Sequence, residues 1–293
     1  MEQAPSPASA PHASAERTPD WPPWFGPVAF VGALVCTLVS FGIIAAILGI
    51  EEGDDTPTLV IVVTLLQSVF FLGAAYLFAR SVAPPRAWHF GLRQAPLWST
   101  VGWAALGMLT FYVLTAVYSA LVDPTAEQEV TDSLGAGDGT AGLVAAGVMV
   151  IVVAPFVEET FFRGFFYRAL RTRYPVLLAA IVDGLVFGAI HYGFDGADGL
   201  LILPPLAFLG AIFCLVYEKT GTLWATIGLH SLNNAVAFSA QANDYEGWQV
   251  AVVAGPLMLA ACVLVPRLMR SGPPALPPPA RARPGAQLSL PVE

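Results

Sequence analysis

Two adjacent glutamates, Glu158 and Glu159, and an arginine, Arg163, interrupt the apolar run APFVEETFFRGFFYRAL at residues 154–170. A carboxylate or guanidinium in hydrocarbon costs roughly 2.5–3.5 kcal/mol on insertion scales. Three further places set polar groups among apolar neighbours. His191 lies in LVFGAIHYG with Phe187 one turn before it, His230 and Asn234 lie in GLHSLNNAVAF, and Asp183 lies in IVDGLVF. Carboxylate, imidazole and carboxamide together can activate a water and stabilise an oxyanion. One carboxylate and two imidazoles, here Glu158, His191 and His230, could also hold zinc or another divalent metal and leave a position open.

On a helix, Glu159 and Arg163 stand four apart with the acid first, the favoured order for an ion pair. Glu158 is turned about 100° away and faces something else. His230 and Asn234 share one helix face. Pro155 removes a backbone N–H and tends to kink its helix. Asp183 has no obvious partner. Each group also has a plain structural reading. A Glu–Arg pair can lock helices together, and a membrane His or Asn can bridge them. The three clusters taken together favour function, since ionisable groups at membrane depth mark sites by default.

The elements that position them are apolar. Of 293 residues, 56% are hydrophobic and 12% charged, with a mean hydropathy of +0.67. A soluble domain typically carries about twice that charged fraction. The expectation is an all-α polytopic membrane helix bundle of about eight transmembrane helices. The apolar segments fall at about 27–50, 58–80, 97–122, 140–163, 175–193, 199–217, 221–240 and 248–266, most near the ~20 residues a span needs. All 13 Lys and Arg residues then fall on one side. By the positive-inside rule that side is cytoplasmic, with both termini inside, as expected of a multi-pass protein of the cell membrane. A net charge of −8 offers no basic surface for nucleic acid. Cys36, Cys214 and Cys262 sit in apolar runs and read as small buried hydrophobes. Residues 1–23 and 271–293, rich in Pro and Ala, read as disordered tails around a helical domain at 24–270.

Spacing suggests that the polar clusters meet. The midpoint of 158 and 191 falls on Tyr174-Pro175, where proline independently places a turn. Glu158 and His191 should thus be level on an antiparallel hairpin. If Arg163, Arg168, Arg171 and Arg173 carry the end of the fourth span into the cytosol, Glu158 lies only about 7–8 Å below Arg163. His230 lies about 13 Å past Gly221 on the same rise. A pocket open to the cytoplasm is the expectation.

EETFFR fits E-E-x-x-x-R, FGAIH fits F-x-x-x-H, and HSLNN fits H-x-x-x-N. In this order on successive hydrophobic helices they resemble the CPBP intramembrane proteases, also called the CAAX protease and bacteriocin-processing (ABI) family. The resemblance covers about residues 90–240. It implies an intramembrane endopeptidase acting on a membrane-anchored protein or peptide. Glu158 with His191 would deprotonate the water, and His230 and Asn234 would orient the carbonyl and hold the oxyanion. Glu159, Arg163 and Phe187 would support them. Whether the mechanism is of metallo- or glutamate type stays open, since family members are described as both. The alternatives are a non-catalytic scaffold or bacteriocin-immunity protein of the same fold, and a proton-coupled transporter. The absence of an internal repeat argues against the last.

Overall fold

A computed structural model of the chain describes residues 19–50, 56–122, 130–192, 199–242, 244 and 246–269. Among these residues there is no strand, and eight long helices follow one another. They are α1 (Phe25–Leu48), α2 (Pro57–Val82), α3 (Leu97–Val122), α4 (Gly139–Arg171), α5 (Val176–Ala189), α6 (Leu203–Thr220), α7 (Leu223–Gln241) and α8 (Gly247–Leu268). Six apolar helical stretches, counting α6 with the turn before it at 200–202, are long enough to cross a membrane. Helix α5 has only 14 residues, and the apolar run of α7, a continuous helix, is broken by His230, Asn233 and Asn234. The outward face is apolar: Ile47 is 76% exposed, Leu121 81% and Leu257 64%. In water such a surface would aggregate; in a bilayer it meets lipid. The chain is a multi-pass membrane protein built as a helical bundle.

Local sequence sets the helix ends. Thr56 caps α2, its side chain accepting from the Leu59 N–H, and Pro57 occupies the first turn, where its missing N–H costs nothing. Gly221 ends α6 with a φ of 64°, a left-handed value that suits glycine. Thr222 then caps α7 at Trp224 N. The α6–α7 turn is laced to the loop before α3. Tyr217 donates to the Phe90 carbonyl, Leu223 N to Gly91 O, Thr222 Oγ1 to Arg93 O and Arg93 Nε to Gly221 O. These bonds fix where α7 starts and hence the height of His230.

The core gathers around the second half of α4. Phe161, Phe162, Phe165 and Phe166 are buried. Phe161 stacks on Phe71 of α2 at 4.6 Å, Phe162 meets Phe187 of α5 edge-on at 5.3 Å, and Phe165 lies 5.2 Å from Trp21. Such pairs add about 0.5–1.5 kcal/mol each beyond the area they bury. Helices α5 and α6 pack through glycine. A Cβ on Gly184 would lie 2.5 Å from the Ala207 carbonyl, and one on Gly210 would lie 2.8 Å from Gly184 Cα. Small residues let two membrane helices approach this closely without a hydrophobic driving force.

Two expectations change here. Trp21, assigned to the tail, is 1% exposed and belongs to the core; residues 1–18 and 270–293 lie outside the described residues. The arginines at the end of α4 do not project. Arg168 lies over the Trp21 ring at 4.9 Å, and Arg171 forks onto Glu218 at 2.7 and 3.1 Å. Their charges are met inside the protein, so they are buried at the helix end.

Candidate active site

Helix α4 carries two π-helical stretches, Met149–Val153 and Phe162–Tyr167. Single π turns inside α-helices often accompany functional sites. In π register the amide at position 155 would meet the Val150 carbonyl, but Pro155 has no N–H. Asn234 of α7 supplies the missing donor, its Nδ2 lying 2.9 Å from Val150 O. A local sequence defect in α4 thus ties that helix to α7 beside the site.

The two adjacent glutamates take different roles. Glu159 is fully buried, and its Oε1 receives Arg163 Nη1 at 2.9 Å and His230 Nδ1 at 2.9 Å. Glu158 is one helical step around. Its Oε2 lies 3.8 Å from His230 Nε2 and has no hydrogen-bond partner among the described residues, although the atom is buried. A buried acceptor without a donor is costly unless something binds there.

Arg163 is fully buried and engaged by several groups, although its Nε makes no hydrogen bond among the described residues. It pairs with Glu159, donates from Nη2 to the Gly210 carbonyl at 3.1 Å, and brings Nε to 3.7 Å from Asp183 Oδ1. Its guanidinium also lies 4.4 Å from the centre of the Phe187 ring and 5.2 Å from that of Phe213, within cation–π range. Asp183, without an obvious partner in the sequence, accepts from Cys214 Sγ at 3.0 Å as well. Cys214 is buried as expected but also donates a hydrogen bond. Sequence reading missed both roles; the only signal was the oddity of an aspartate in an apolar run.

The histidines share a pattern. In each, Nδ1 meets an oxygen: Glu159 for His230, and the Phe187 carbonyl at 2.8 Å for His191. An oxygen acceptor at Nδ1 assigns the proton there in the neutral ring and leaves the Nε2 lone pair free. Orienting partners of this kind fix the tautomer. Phe187 and Phe213 flank His230 at 5.8 and 5.4 Å, which limits its ring motion.

Glu158, His191, His230 and Asn234 line a common cavity of about 140 Å³, with Phe187 in its wall. Asn233, passed over in the sequence, lines it too. Glu159 and Arg163 stand behind the wall. As for a metal, no group of three His, Cys, Asp or Glu among the described residues lies close enough to hold one. The donors face one cavity without forming a ligand cage, so no chemical step is assigned to a metal.

The direction of the cavity differs from expectation. From Glu158 its α4 wall runs back through Ala154 to Val150, and from His230 its α7 wall runs forward to Gln241. It therefore extends toward the bundle end that carries Gly139 and Gln241, away from Arg171, Arg173 and Lys219. The expected opening at the arginine end rested on depth counted from Arg163, which is itself buried at the site.

Residues 140–236 match the model of the family described as Type II CAAX prenyl endopeptidase Rce1-like. Through this segment, about a third of its length, the chain is similar to that family. Curated relatives match part of the chain. "Uncharacterized protein YyaK" of Bacillus subtilis (strain 168) is 32% identical over 31% of this chain and 32% of its own length. An "Uncharacterized 24.3 kDa protein" of Escherichia coli is 28% identical over 44% of this chain and 59% of its own. "Putative membrane peptidase YdiL" of Bacillus subtilis (strain 168) is 27% identical over 39% and 48%. The chain thus covers between about a third and three fifths of the length of each of these relatives. No solved structure matches it. The family-model match spans both glutamates, both site histidines and Asn234.

Proposed function

We propose that the chain is an intramembrane endopeptidase that hydrolyses a peptide bond of a membrane-anchored protein or peptide with a water activated by Glu158. The observation that carries this reading is the division of labour between the paired glutamates. Glu159 is engaged through Oε1 by Arg163 and His230 and lies outside the cavity lining, its Oε2 also buried without a hydrogen-bond partner, whereas Glu158 lines the cavity with its own unpartnered oxygen 3.8 Å from His230 Nε2. A base held within one water of its partner groups satisfies the geometric requirement for general-base catalysis.

Glu158, assisted by the free Nε2 of His191, takes one proton from a water. The resulting hydroxide adds to the scissile carbonyl carbon. His230, aimed by its Nδ1 contact with Glu159, stands beside the scissile carbonyl and orients it. The second amide hydrogen of Asn234 is a donor to the oxyanion, the first being used at Val150. Collapse of the tetrahedral intermediate breaks the C–N bond, and the proton held by Glu158 passes to the leaving amine. The match to a family described as prenyl endopeptidases, and to a relative named as a membrane peptidase, supports this reaction class. The protein would reside in the cell membrane with both termini in the cytoplasm.

The test is detergent-purified full-length protein incubated with a panel of lipid-modified and membrane-anchored peptides, the products being read by mass spectrometry. Defined new termini that disappear with Glu158→Gln support hydrolysis at this site. Binding without cleavage across the panel supports a non-catalytic scaffold instead.

A further inference from the structure

We propose that a second cavity, separate from the active site, holds an anionic phospholipid, with its phosphate between Arg93 and Arg267 and an acyl chain along the apolar wall beneath them. This assignment does not rest on the endopeptidase reading above.

The cavity has a volume of about 480 Å³ and shares no lining residue with the active-site cavity. Three helix ends enclose it: residues 97–104 of α3, 222–229 of α7 and 259–267 of α8. Its size falls in the range of roughly 300–1,000 Å³ usual for ligand sites. The wall runs about 10 Å along α3 from Leu97 to Ala104, and about 12 Å along α8 from Arg267 to Leu259. Val101, Leu229 and Val263 add to its apolar surface.

Charge is confined to one end. Arg93 is buried in the loop before α3, its Nε donating to the Gly221 carbonyl, and Arg267 closes the α8 wall. Among the described residues no Asp or Glu lines the cavity. Burial pulls the Arg93 guanidinium below its ordinary range, and an anion beside it favours the charged form. Two donors lie nearby. Trp224 Nε1 and Thr100 Oγ1 are buried, make no hydrogen bond among the described residues, and belong to side chains that line the cavity. Thr37, Thr64 and Thr110 turn their hydroxyls back onto the carbonyl four residues before, and Thr100 does not. An indole N–H can only donate. Phosphate and ester oxygens supply the acceptors that both groups lack.

The position in the bundle selects a lipid. Arg80, Arg86, Arg93, Arg173, Lys219 and Arg267 gather at this end. Basic residues in short loops stay cytoplasmic, and the cytoplasmic leaflet carries the anionic lipids. Trp98, in the first turn of α3 and 83% exposed, suits the headgroup level of that leaflet. Basic pockets between membrane helices on this side bind anionic headgroups. A free phosphate would leave the apolar wall unfilled, and a zwitterionic lipid would set its own cation against two arginines. An anionic phospholipid meets both the wall and the charge.

Native mass spectrometry of the detergent-purified full-length protein tests the site. The probes are dioleoyl phosphatidylglycerol, dioleoyl phosphatidylcholine and inorganic phosphate, with melting temperatures recorded on the same preparations. Two variants accompany the parent. Arg267→Gln removes one charge at an exposed position, so the fold is kept, and Val101→Trp fills the apolar wall. The expected result is one phosphatidylglycerol retained per chain in preference to phosphatidylcholine. Its affinity should fall about tenfold or more in Arg267→Gln, the size of one hydrogen bond to a charged group, and retention should be lost in Val101→Trp. Equal retention of phosphatidylcholine would overturn the proposal. So would an unchanged phosphatidylglycerol affinity in either variant, which would place the lipid elsewhere on the surface. A rise in melting temperature with inorganic phosphate equal to that with phosphatidylglycerol would also overturn it, since the anion alone would then be bound. None of these readouts needs proteolysis, so an inactive protein that binds the lipid would overturn the endopeptidase reading alone.

Discussion

His230 Nδ1 lies 2.9 Å from Glu159 Oε1, the same oxygen that receives Arg163 Nη1. One carboxylate oxygen therefore aims a histidine and neutralises an arginine, across 71 residues of sequence in the first case. The neighbouring Glu158 makes no such hydrogen bond through Oε2, its contact with His230 being a looser one at 3.8 Å. The charges in this apolar helix are tolerated by two different means: a buried network for Glu159, Arg163 and Asp183, and a cavity for Glu158.

Removing the hub of that network should unfold more than it inactivates. Arg163→Ala leaves Glu159 and Asp183 as buried carboxylates without their cation, a change that typically costs about 3–5 kcal/mol. Lower yield and a lower melting temperature are expected in detergent, with loss of cleavage. Arg163→Lys should not restore either property, because a single ammonium cannot replace the fork that meets Glu159, Gly210 and Asp183 together. A parental melting temperature for Arg163→Ala would show that the pairing is dispensable.

Asn234 separates into a structural and a chemical half. Asn234→Asp sets a carboxylate against the Val150 carbonyl, acceptor against acceptor, where Nδ2 now donates. The lost bond and exposed repulsion should cost on the order of 1–3 kcal/mol, read as a fall in melting temperature. If Asn234→Asp melts like the parent yet fails to cleave, the amide serves substrate alone and the α4–α7 tie is not needed.

Much of this arrangement was legible in the sequence. The eight apolar segments fall within a few residues of α1 to α8 except at the end of α4, which runs on to Arg171 where 163 was expected, because apolar runs and turn residues are local signals. The level pairing of Glu158 with His191 followed from hairpin symmetry about Tyr174-Pro175, and both face one cavity. What was hidden depends on contacts between distant segments. Nothing local links Asp183 to Cys214, 31 residues away, or predicts that Glu159 reaches α7. Arg163 was counted with the arginines of a loop because charge rules see sequence position and not burial. That miscount set the expected direction of the cavity. The π stretches left a faint trace in Pro155, whose missing N–H implies an orphaned carbonyl, but the donor that meets it lies 84 residues further on.

The glycine contact between α5 and α6 should control the site from a distance. Gly184→Leu cannot be accommodated where even a Cβ would lie 2.5 Å from Ala207 O and 2.7 Å from Ala211 N. Forced separation of the helices moves Asp183 and Phe187 away from Arg163. Overpacking of this kind usually costs about 1–3 kcal/mol. A melting temperature below the parent's and reduced cleavage are expected, and an unchanged melting temperature would mean that α5 shifts freely.

The most direct measurement is the single-turnover rate of peptide cleavage by Glu158→Gln against the parent, with melting temperatures recorded on the same preparations. Gln keeps the size of the side chain and removes the base. Because Glu158 Oε2 accepts no hydrogen bond among the described residues and only approaches His230 at 3.8 Å, stability should be close to parental. The rate should fall by about 10²–10⁴-fold, the usual contribution of a positioned base. Cleavage by Glu158→Gln at the parental rate would contradict the assignment of Glu158 as the group that activates water.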